Sequence, residues 1–188
     1  MARFLIFKEG LLGSQADLII VFSNGSAYRQ YEFLLGKGSP HRVYAQLEPD
    51  VIDKIFAINE GRIQRGKPPV KVLLVFDDSL SKTERYSQQV NRCFQFGRIN
   101  QIVPLVLQQS ISQVDTTWRS NTDYFLTFKP RTLRDKLYVW ENLLCEVAET
   151  KKEAFKILES MEPYQALVVD YTSGKTKTGF FTAPLVET

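Results

Sequence analysis

The chain has 188 residues, of which 44% are hydrophobic and 24% are charged, and its formal net charge is +3. This composition is typical of a globular protein with one full-sized hydrophobic core, and it excludes wholesale disorder. The net charge is too small to indicate a nucleic-acid partner by itself. The two cysteines exclude a disulfide framework, and the single histidine, His41, excludes any chemistry that needs two. No run of about 18 apolar residues is present, so the sequence predicts no membrane span.

Apolar runs of strand length alternate with helical patterns along the chain. Helices are predicted over 2–12, 26–35, 48–65, 81–96, 133–147 and 151–160. Strands are predicted over 17–22, 42–45, 70–76, 101–107 and 123–128. A terminal hairpin is predicted over 166–171 and 179–181. The repeated β-then-α order predicts an α/β fold with a mostly parallel sheet and helices on both faces. Pro104 lies inside one apolar run and predicts a bulge there, because proline donates nothing to a β ladder.

Polar residues follow directly after the buried runs. They are Ser23 and Asn24, Asp77 and Asp78, and Gln108 and Gln109. Ligands of open α/β sheets bind at the carboxyl ends of the strands, so these positions are the candidate site. A strand-end carboxylate can bind Mg²⁺ directly or through water, and a second one can orient an attacking water or take its proton. The alternative is that the two aspartates begin the next helix, with Ser79 or Ser81 as its cap.

Two segments resemble a phosphate-binding loop, and neither satisfies its pattern. Residues 61–67 (GRIQRGK) fit G-x-x-x-x-G-K, but Pro68 follows them and the predicted helix comes before the segment. Residues 173–176 (SGKT) have the G-K-T end without the first glycine, and they lie in the predicted hairpin. The sequence therefore predicts that neither segment cradles a nucleotide.

Three blocks of the sequence resemble one family. Residues 72–78 (VLLVFDD) look like a Walker B strand, and residues 96–109 resemble the Gly-Arg, strand and Gln block of the FtsK–HerA superfamily of DNA-pumping ATPases. Residues 114–125 are similar to the segment that follows the sensor strand of that superfamily. In order and spacing, 17–128 is most similar to the genome-packaging ATPases of large DNA viruses, their virophages and related elements. The resemblance implies the RecA-type core of a P-loop NTPase.

The sequence departs from this family at identifiable places. Ile99 stands where the family usually has histidine, and no Walker A loop precedes Met1. Residues 2–12 resemble the helix that follows that loop, so we expect an N-terminally truncated core that begins just after the P-loop. The family's strand order is 5-1-4-3-2. With 101–107 as strand 4 and 123–128 as strand 5, we expect strand 1 to be missing between them.

The resemblance also implies a role for each candidate side chain. Asp77 would hold the Mg²⁺ of ATP, and Asp78 would be the general base or would orient the attacking water. Gln109 would be the sensor of the γ-phosphate, or a loop amide in the alternative. Arg98 and Arg119 would be candidate arginine fingers that reach a neighbouring subunit's site. The alternative for Arg98 is an exposed cation at a helix end.

The resemblance implies a genome-packaging ATPase that translocates double-stranded DNA. Its cofactors would be ATP and Mg²⁺, and its partners would be DNA, further copies in a hexameric ring, and capsid proteins. We expect a cytoplasmic location, at a host-cell assembly site or in the virion, and no secretion. Lys129, Arg131, Arg134 and Lys136 form a basic cluster that would face DNA phosphates or begin a solvated helix.

We expect a single ATPase-type domain over 1–188. In it, 1–130 form the core without strand 1 and the P-loop, and 131–188 form a C-terminal extension of helices and a hairpin. Three alternatives stay open from the sequence. They are a non-hydrolysing α/β binding or structural module, a degenerate ATPase, and a metal-dependent nuclease, which would need a further acid near Asp77 and Asp78.

Overall fold

The structure is a computed structural model that describes residues 15–81, 84, 87–109, 114–173 and 175–182. The described chain divides into two compact units, one made by 15–109 with 115–119 and the other by 114 with 120–182. The boundary drawn from the sequence at residue 130 therefore lies inside the second unit, and the single domain over 1–188 stays a prediction. The helix expected over 2–12 lies outside the described residues. No described helix is long and apolar enough to cross a membrane.

The first unit is built on a sheet of four parallel strands in the order β2-β1-β3-β4. The strands are β1 (Leu18–Ser23), β2 (Arg42–Tyr44), β3 (Val72–Asp77) and β4 (Ile102–Leu107). The connecting helices are a 3₁₀-helix (Gly25–Leu34), α1 (Pro49–Gln64), α2 (Gln88–Phe96) and α3 (Thr116–Ser120). The predicted α/β class with its mostly parallel sheet is confirmed. The order β4-β3-β1 is also the order that the resemblance implies for family strands 4, 3 and 2.

The helix after β3 begins later than the sequence suggested. Its N-cap is Ser87, whose hydroxyl accepts a hydrogen bond from the backbone N–H of Val90 at 3.2 Å. Ser81 instead accepts from the N–H of Glu84 and closes a local turn. The N-cap of the helix therefore lies about ten positions after Asp77, which rules out the alternative in which the two aspartates begin that helix.

In the first unit, a compact cluster of apolar side chains packs on one face of the parallel sheet. Ile19, Val21, Leu73 and Val75 are buried there against Tyr31 and Leu34 of the 3₁₀-helix. Side chains alternate between the two faces of a strand, so the intervening residues pack on the opposite face. There Phe22 stacks on Tyr44 and Phe76, each with ring centroids 5.5 Å apart. Burial on both faces explains why these runs are almost continuously apolar.

Pro104 does not produce the expected bulge, because β3 and β4 pair without interruption and Leu74 stands opposite Pro104. The carbonyl of Leu107 accepts from the N–H of Asp78, so the backbone groups of Leu107 face β3. Backbone groups alternate in direction along a strand, and those of Pro104 therefore face away from β3. Within the described sheet β4 is an edge strand. The position where Pro104 lacks a backbone N–H faces away from β3, so no hydrogen bond between β3 and β4 is lost.

Buried polar contacts hold the amino ends of the strands. The Asn59 amide donates to the carbonyls of Val70 and Asn100 at 2.9 and 2.7 Å, and its oxygen accepts from the N–H of Val70 at 2.9 Å. The Nδ1 of His41 accepts from the N–H of Ile19 at 3.0 Å. These contacts anchor the segments that lead into β2, β3 and β4.

Close packing also constrains the amino end at Gly97, directly after α2. A Cβ added there would lie 2.2 Å from the carbonyl oxygen of Cys93 and 2.4 Å from that of Ile102. The glycine therefore lets the helix end approach the start of β4. Cys93 itself is buried, and burial raises the pKa of its thiol to about 12, whereas Cys145 in the second unit is exposed.

The second unit combines an antiparallel sheet in the order β5-β6-β7 with helices. Its elements are β5 (Tyr124–Phe128), α4 (Leu133–Val139), a π-helical turn (Trp140–Leu144), α5 (Lys151–Glu159), β6 (Gln165–Asp170) and β7 (Lys177–Thr182). The C-terminal helices and hairpin are thus as predicted. The strand over 123–128, however, pairs antiparallel with β6 rather than continuing the core. Its burial alternates residue by residue, which is typical of an antiparallel strand with one wet face.

Candidate active site

The candidate site lies at the carboxyl edge of the parallel sheet. Asp77 ends β3 and stands in register with Leu107, the last residue of β4. Just beyond these strand ends, the Nε2 of Gln109 donates a hydrogen bond to the Oδ2 of Asp78 at 2.7 Å. The predicted metal ligand, the predicted base and the predicted sensor therefore share one edge, and the last two are in direct contact.

The backbone of Asp78 adopts an uncommon conformation. Its φ is +46°, in the left-handed region that aspartate tolerates better than most residues. Its N–H donates to the carbonyl of Leu107 at 3.1 Å, so β4 fixes the residue in this conformation. Backbone strain of this kind clusters at functional sites, because a surrounding structure has to maintain it.

Asp77 is half-buried and hydrogen-bonded from the 3₁₀-helix. The hydroxyl of Tyr31 and the Nε2 of Gln30 donate to its Oδ2 at 2.9 and 3.0 Å. Burial raises the pKa of Asp77 above its ordinary value, the bond from Tyr31 opposes that shift, and the neighbouring charge of Asp78 adds to it. Burial and the carboxylate also raise the pKa of Tyr31, so that hydroxyl stays protonated and donates.

Sequence reasoning missed Tyr31 and Gln30. They lie 46 and 47 positions before Asp77, in a helix with no recognisable motif. One signal was available: that helix follows β1, so it starts at the same sheet edge as Asp77.

Polar side-chain atoms at this edge are buried without a partner. The Oγ of Ser23, the Oγ of Ser79 and the Oε1 of Gln108 have no hydrogen bond to any described residue. Ser23 is the register partner of Asp77 on the neighbouring strand, so their side chains share one face. Buried polar atoms are nearly always satisfied in folded proteins, so water or a ligand is expected to complete these three.

The acidic residues here suit one kind of metal. The described residues contain no group of three or more His, Cys, Asp or Glu that could enclose an ion. Mg²⁺ does not need such a group, since it keeps several waters and binds through one or two carboxylates plus substrate phosphates. Asp77 and Asp78 fit that requirement, and the unpartnered hydroxyls of Ser23 and Ser79 could contact metal-bound water. Glu84, the acid a nuclease site would have to recruit, uses its carboxylate to accept from the N–H of Ser81 at 2.8 Å.

The two candidate arginines lie on different elements of the first unit. Arg98 is exposed between α2 and the first residue of β4. Since β3 and β4 are parallel, it lies at the amino end of the sheet, about 17 Å from the carboxyl edge by the rise per strand residue. Arg119 is half-buried in α3, which Trp118 anchors to α2 by stacking on Phe94 with ring centroids 5.2 Å apart. The sheet therefore does not bring Arg98 to Asp77 and Asp78 within one subunit.

One of the two loop-like segments lies at the opposite end of the parallel sheet, and the other belongs to the second unit. Residues 61–67 span the last turn of α1 and the loop before β3, at the amino end of the sheet. Residues 173–176 belong to the turn between β6 and β7 in the second unit, where Gly174 is outside the described residues. The position of 61–67 agrees with the prediction that this segment is not a nucleotide cradle, and for 173–176 that statement stays a prediction.

The basic cluster of the second unit is partly committed to internal contacts. The Nζ of Lys129 donates to the carbonyls of Glu159 and Met161 at 2.8 and 3.0 Å. Lys136 forms an ion pair with the Glu159 carboxylate at 3.1 Å. Arg131 and Arg134 are exposed, so they are the members of the cluster that remain accessible to a partner.

Known proteins resemble this chain in structure and not in detectable sequence. No family model matches it, and no match is found among curated proteins. The DNA-packaging ATPase B204 of Sulfolobus turreted icosahedral virus superposes with a TM-score of 0.58 over 92% of this chain and 85% of that chain, at 15% identity.

Two further structures are of the genome-packaging NTPase B204 of Sulfolobus turreted icosahedral virus 2. The complex with AMPPCP has a TM-score of 0.61 and 15% identity over 93% of this chain and 85% of that chain. The complex with ATP-gammaS has a TM-score of 0.61 and 13% identity, with coverage of 92% and 85%. At these identities the likeness establishes the fold alone: the chain has the fold of the viral genome-packaging NTPases.

Proposed function

We propose that this protein is a genome-packaging ATPase of the FtsK–HerA type, with β3 as its Walker B strand and double-stranded DNA as its substrate. The observation that carries the proposal is the contact between Gln109 and Asp78 beside Asp77, on the carboxyl edge of a sheet with the fold of packaging NTPases. The fold alone fits many functions, and this arrangement of a metal ligand, a base and a sensor is what narrows the choice.

Each residue at the edge has a role in the proposed reaction. Asp77 holds Mg²⁺, which neutralises charge on the phosphates of bound ATP. Asp78 orients the attacking water or takes its proton, and its fixed backbone keeps the carboxylate in place. Gln109 reports on the γ-phosphate through its bond to Asp78. If the bond between Gln109 and Asp78 is released when ATP is hydrolysed, the change at the site is transmitted to β4, which Gln109 follows.

Arg98 serves a neighbouring copy in this proposal. A head-to-tail contact puts the amino end of one sheet against the carboxyl edge of the next, and contacts of this type close into rings such as the expected hexamer. Two features of the amino end support it. Phe96 and Ile99 are exposed, Ile99 by 71%, and with Ile63 they line a groove of about 460 Å³. Apolar anchors surrounded by polar groups are typical of protein interfaces. Arg119 is the second candidate for this role.

The remaining partners are assigned by chemistry. Arg131 and Arg134 are the exposed cations for DNA phosphates, and binding through them should weaken steeply as salt is raised. Capsid proteins complete the proposed assembly, which operates in the cytoplasm of the host or in the virion.

The test is ATP hydrolysis by the chain and by a version extended at its N-terminus with a strand and a G-x-x-x-x-G-K-[ST] loop. In the active form, Asp78→Asn should abolish turnover and leave Mg-ATP binding nearly intact, whereas Asp77→Asn should weaken binding as well. Asp50→Asn, at an exposed acid in the first turn of α1, is the matched control and should change neither. Equal hydrolysis by the wild type and Asp78→Asn would overturn the assignment.

Subunit mixing tests the ring. Arg98→Ala and Asp78→Asn subunits are each inactive alone, but mixed rings contain interfaces that pair an intact site with an intact arginine. Partial recovery of activity is therefore expected. Arg65→Ala is the matched control, because it removes another exposed cation at the same end of the sheet. Its subunits should hydrolyse ATP without being mixed with others. No recovery at any mixing ratio, for Arg98 and Arg119 alike, would exclude an arginine that acts between subunits.

A further inference from the structure

The two oxygens of the Asp77 carboxylate have different surroundings. Oδ2 accepts both hydrogen bonds from the 3₁₀-helix, one from Tyr31 and one from Gln30. A carboxylate oxygen has two lone-pair sites, so these two donors use the capacity of Oδ2. No described residue donates to Oδ1, which leaves that oxygen available to a ligand.

Packing fixes the direction from which Tyr31 approaches. Its side chain is fully buried in the apolar cluster with Ile19, Val21, Leu73 and Val75, so the ring cannot change rotamer without disrupting that cluster. Its hydroxyl is therefore a rigid donor at the end of a rigid strand. Gln30 adds a second donor from the preceding position, and the two bonds together define the plane of the carboxylate.

A second observation indicates that a polar ligand is expected on this face. Ser23, next to Asp77 across the β1–β3 ladder, is fully buried and its hydroxyl has no partner among the described residues. A buried hydroxyl without a hydrogen bond is unfavourable by about 1–3 kcal/mol. A metal-bound water beside Asp77 would satisfy it.

We propose that Tyr31 and Gln30 are positioning residues that hold Oδ2 of Asp77, so that Oδ1 is presented to Mg²⁺ with Ser23 beside it. The inference rests on the role of Asp77 in the proposed function. Groups that hydrogen-bond to metal ligands orient them, and their loss typically weakens metal affinity by about 10- to 100-fold. A purely structural tyrosine would lose little when phenylalanine replaces it, because the ring volume is kept.

The experiment measures Mn²⁺ affinity of the 188-residue chain without nucleotide, from the electron paramagnetic resonance signal of the free ion. Tyr31→Phe should weaken binding by about 10-fold and Gln30→Leu by a smaller factor. Tyr28→Phe is the matched control, because Tyr28 lies in the same helix and is not a partner of Asp77; it should leave affinity unchanged. Gln30 is exposed, so its variant keeps the test valid even where Tyr31→Phe lowers stability.

A double-mutant comparison separates positioning from general disruption. In an Asp77→Asn background, Tyr31→Phe and Gln30→Leu should cause no further loss, since the group they position is gone. The same loss in both backgrounds would overturn the positioning role. Wild-type affinity in both single variants would overturn it while leaving Asp77 as the metal ligand. No Mn²⁺ binding by the wild type would overturn the positioning role, whereas the role of Asp77 toward Mg-ATP is tested separately by the Asp77→Asn variant described above.

Discussion

The two ends of the parallel sheet differ in how many of their buried polar atoms have a hydrogen-bond partner. At the amino end, the side chain of Asn59 is fully buried, and each of its polar atoms has a backbone partner. At the carboxyl edge, Ser23, Ser79 and Gln108 bury polar atoms without a partner among the described residues. The separation is not absolute, because the Oδ1 of Asn100 at the amino end also has no partner. Even so, Asn59 at the amino end is satisfied by the chain's own backbone, whereas three buried polar atoms at the carboxyl edge have no partner among the described residues.

The backbone differs between the two ends in packing. At the amino end, Gly97 is required by contact, since neighbouring carbonyls occupy the space of a side chain. Positive φ angles of non-glycine residues occur at both ends, at Asp78 on the carboxyl edge and at Gln101 on the amino end. The tight packing at Gly97 therefore stabilises the amino end, and the carboxyl edge is distinguished by its buried polar atoms without a described partner.

The largest effect is expected for Gly97→Ala. The new methyl group would overlap two carbonyl oxygens that lie within 2.4 Å of it, and neither can move without shifting α2 or β4. We expect a loss of about 3 kcal/mol or more in the free energy of unfolding, measured by urea denaturation. Gly36→Ala has nothing within 4 Å and should lie near the wild type. Similar values for the two variants would show that the amino end is not tightly packed.

The contrast in hydrogen bonding is tested by a pair of variants. Asn59→Leu removes three hydrogen bonds and leaves buried backbone groups unpaired, so we expect a loss of about 2–3 kcal/mol in the free energy of unfolding. Ser23→Ala removes a buried hydroxyl that has no partner and should be neutral or stabilising by up to about 1 kcal/mol. A large loss for Ser23→Ala, measured without metal or nucleotide, would contradict the description of the carboxyl edge.

Asp77 gives the carboxyl edge its own pH dependence. Burial raises the pKa of Asp77, so the folded state keeps this proton to a higher pH than the unfolded state, whose pKa is about 4. The stabilising contribution of the protonated acid is present below that unfolded value and is lost as pH rises through the folded value. Asp77→Asn cannot lose a proton, so its melting temperature relative to wild type should be higher at pH 7 than at pH 4. A difference that does not change with pH would argue against a perturbed carboxyl group.

His41 gives the amino end the opposite and smaller dependence. Burial and the neighbouring charge of Arg42 lower the pKa of His41, and its Nδ1 must be unprotonated to accept from Ile19. Stability should therefore fall as pH decreases from about 6.5 through the lowered folded value. His41→Asn keeps an acceptor that does not titrate, and its melting temperature should not show this fall. Identical profiles for the two proteins would remove His41 as the cause.

The parts of this structure that the sequence predicts well are those in which one physical constraint acts on consecutive residues. Residues 72–76 had to be apolar throughout because the strand is buried on both faces, so both the strand and the aspartate at its end could be identified. The pairing of Gln109 with Asp78 followed from parallel neighbours that end at the same edge. For β5, the strand itself was predicted but its antiparallel pairing with β6 was not, because the run 124–128 (YFLTF) shows no alternation of apolar and polar residues.

The parts that escaped prediction depend on distant contacts. Tyr31 reaches Asp77 only because the cluster around Ile19 and Leu73 seats the 3₁₀-helix on the sheet, and no local pattern encodes that packing. The space around Gly97 is likewise set by the start of β4, five residues further along. For Pro104, the sequence identified the apolar run as a strand. Whether the proline interrupts the β ladder depended on which side of β4 has a hydrogen-bonded neighbour, and the sequence does not show that.

The two thiols differ in burial, so their reactivity with a thiol reagent can be used to measure local opening of the first unit. Cys145 is exposed and should react at once with a thiol reagent. Cys93 is 1% exposed, and its pKa of about 12 keeps it protonated at neutral pH. After Cys145 is blocked, the labelling rate of Cys93 therefore measures how often the first unit opens around α2.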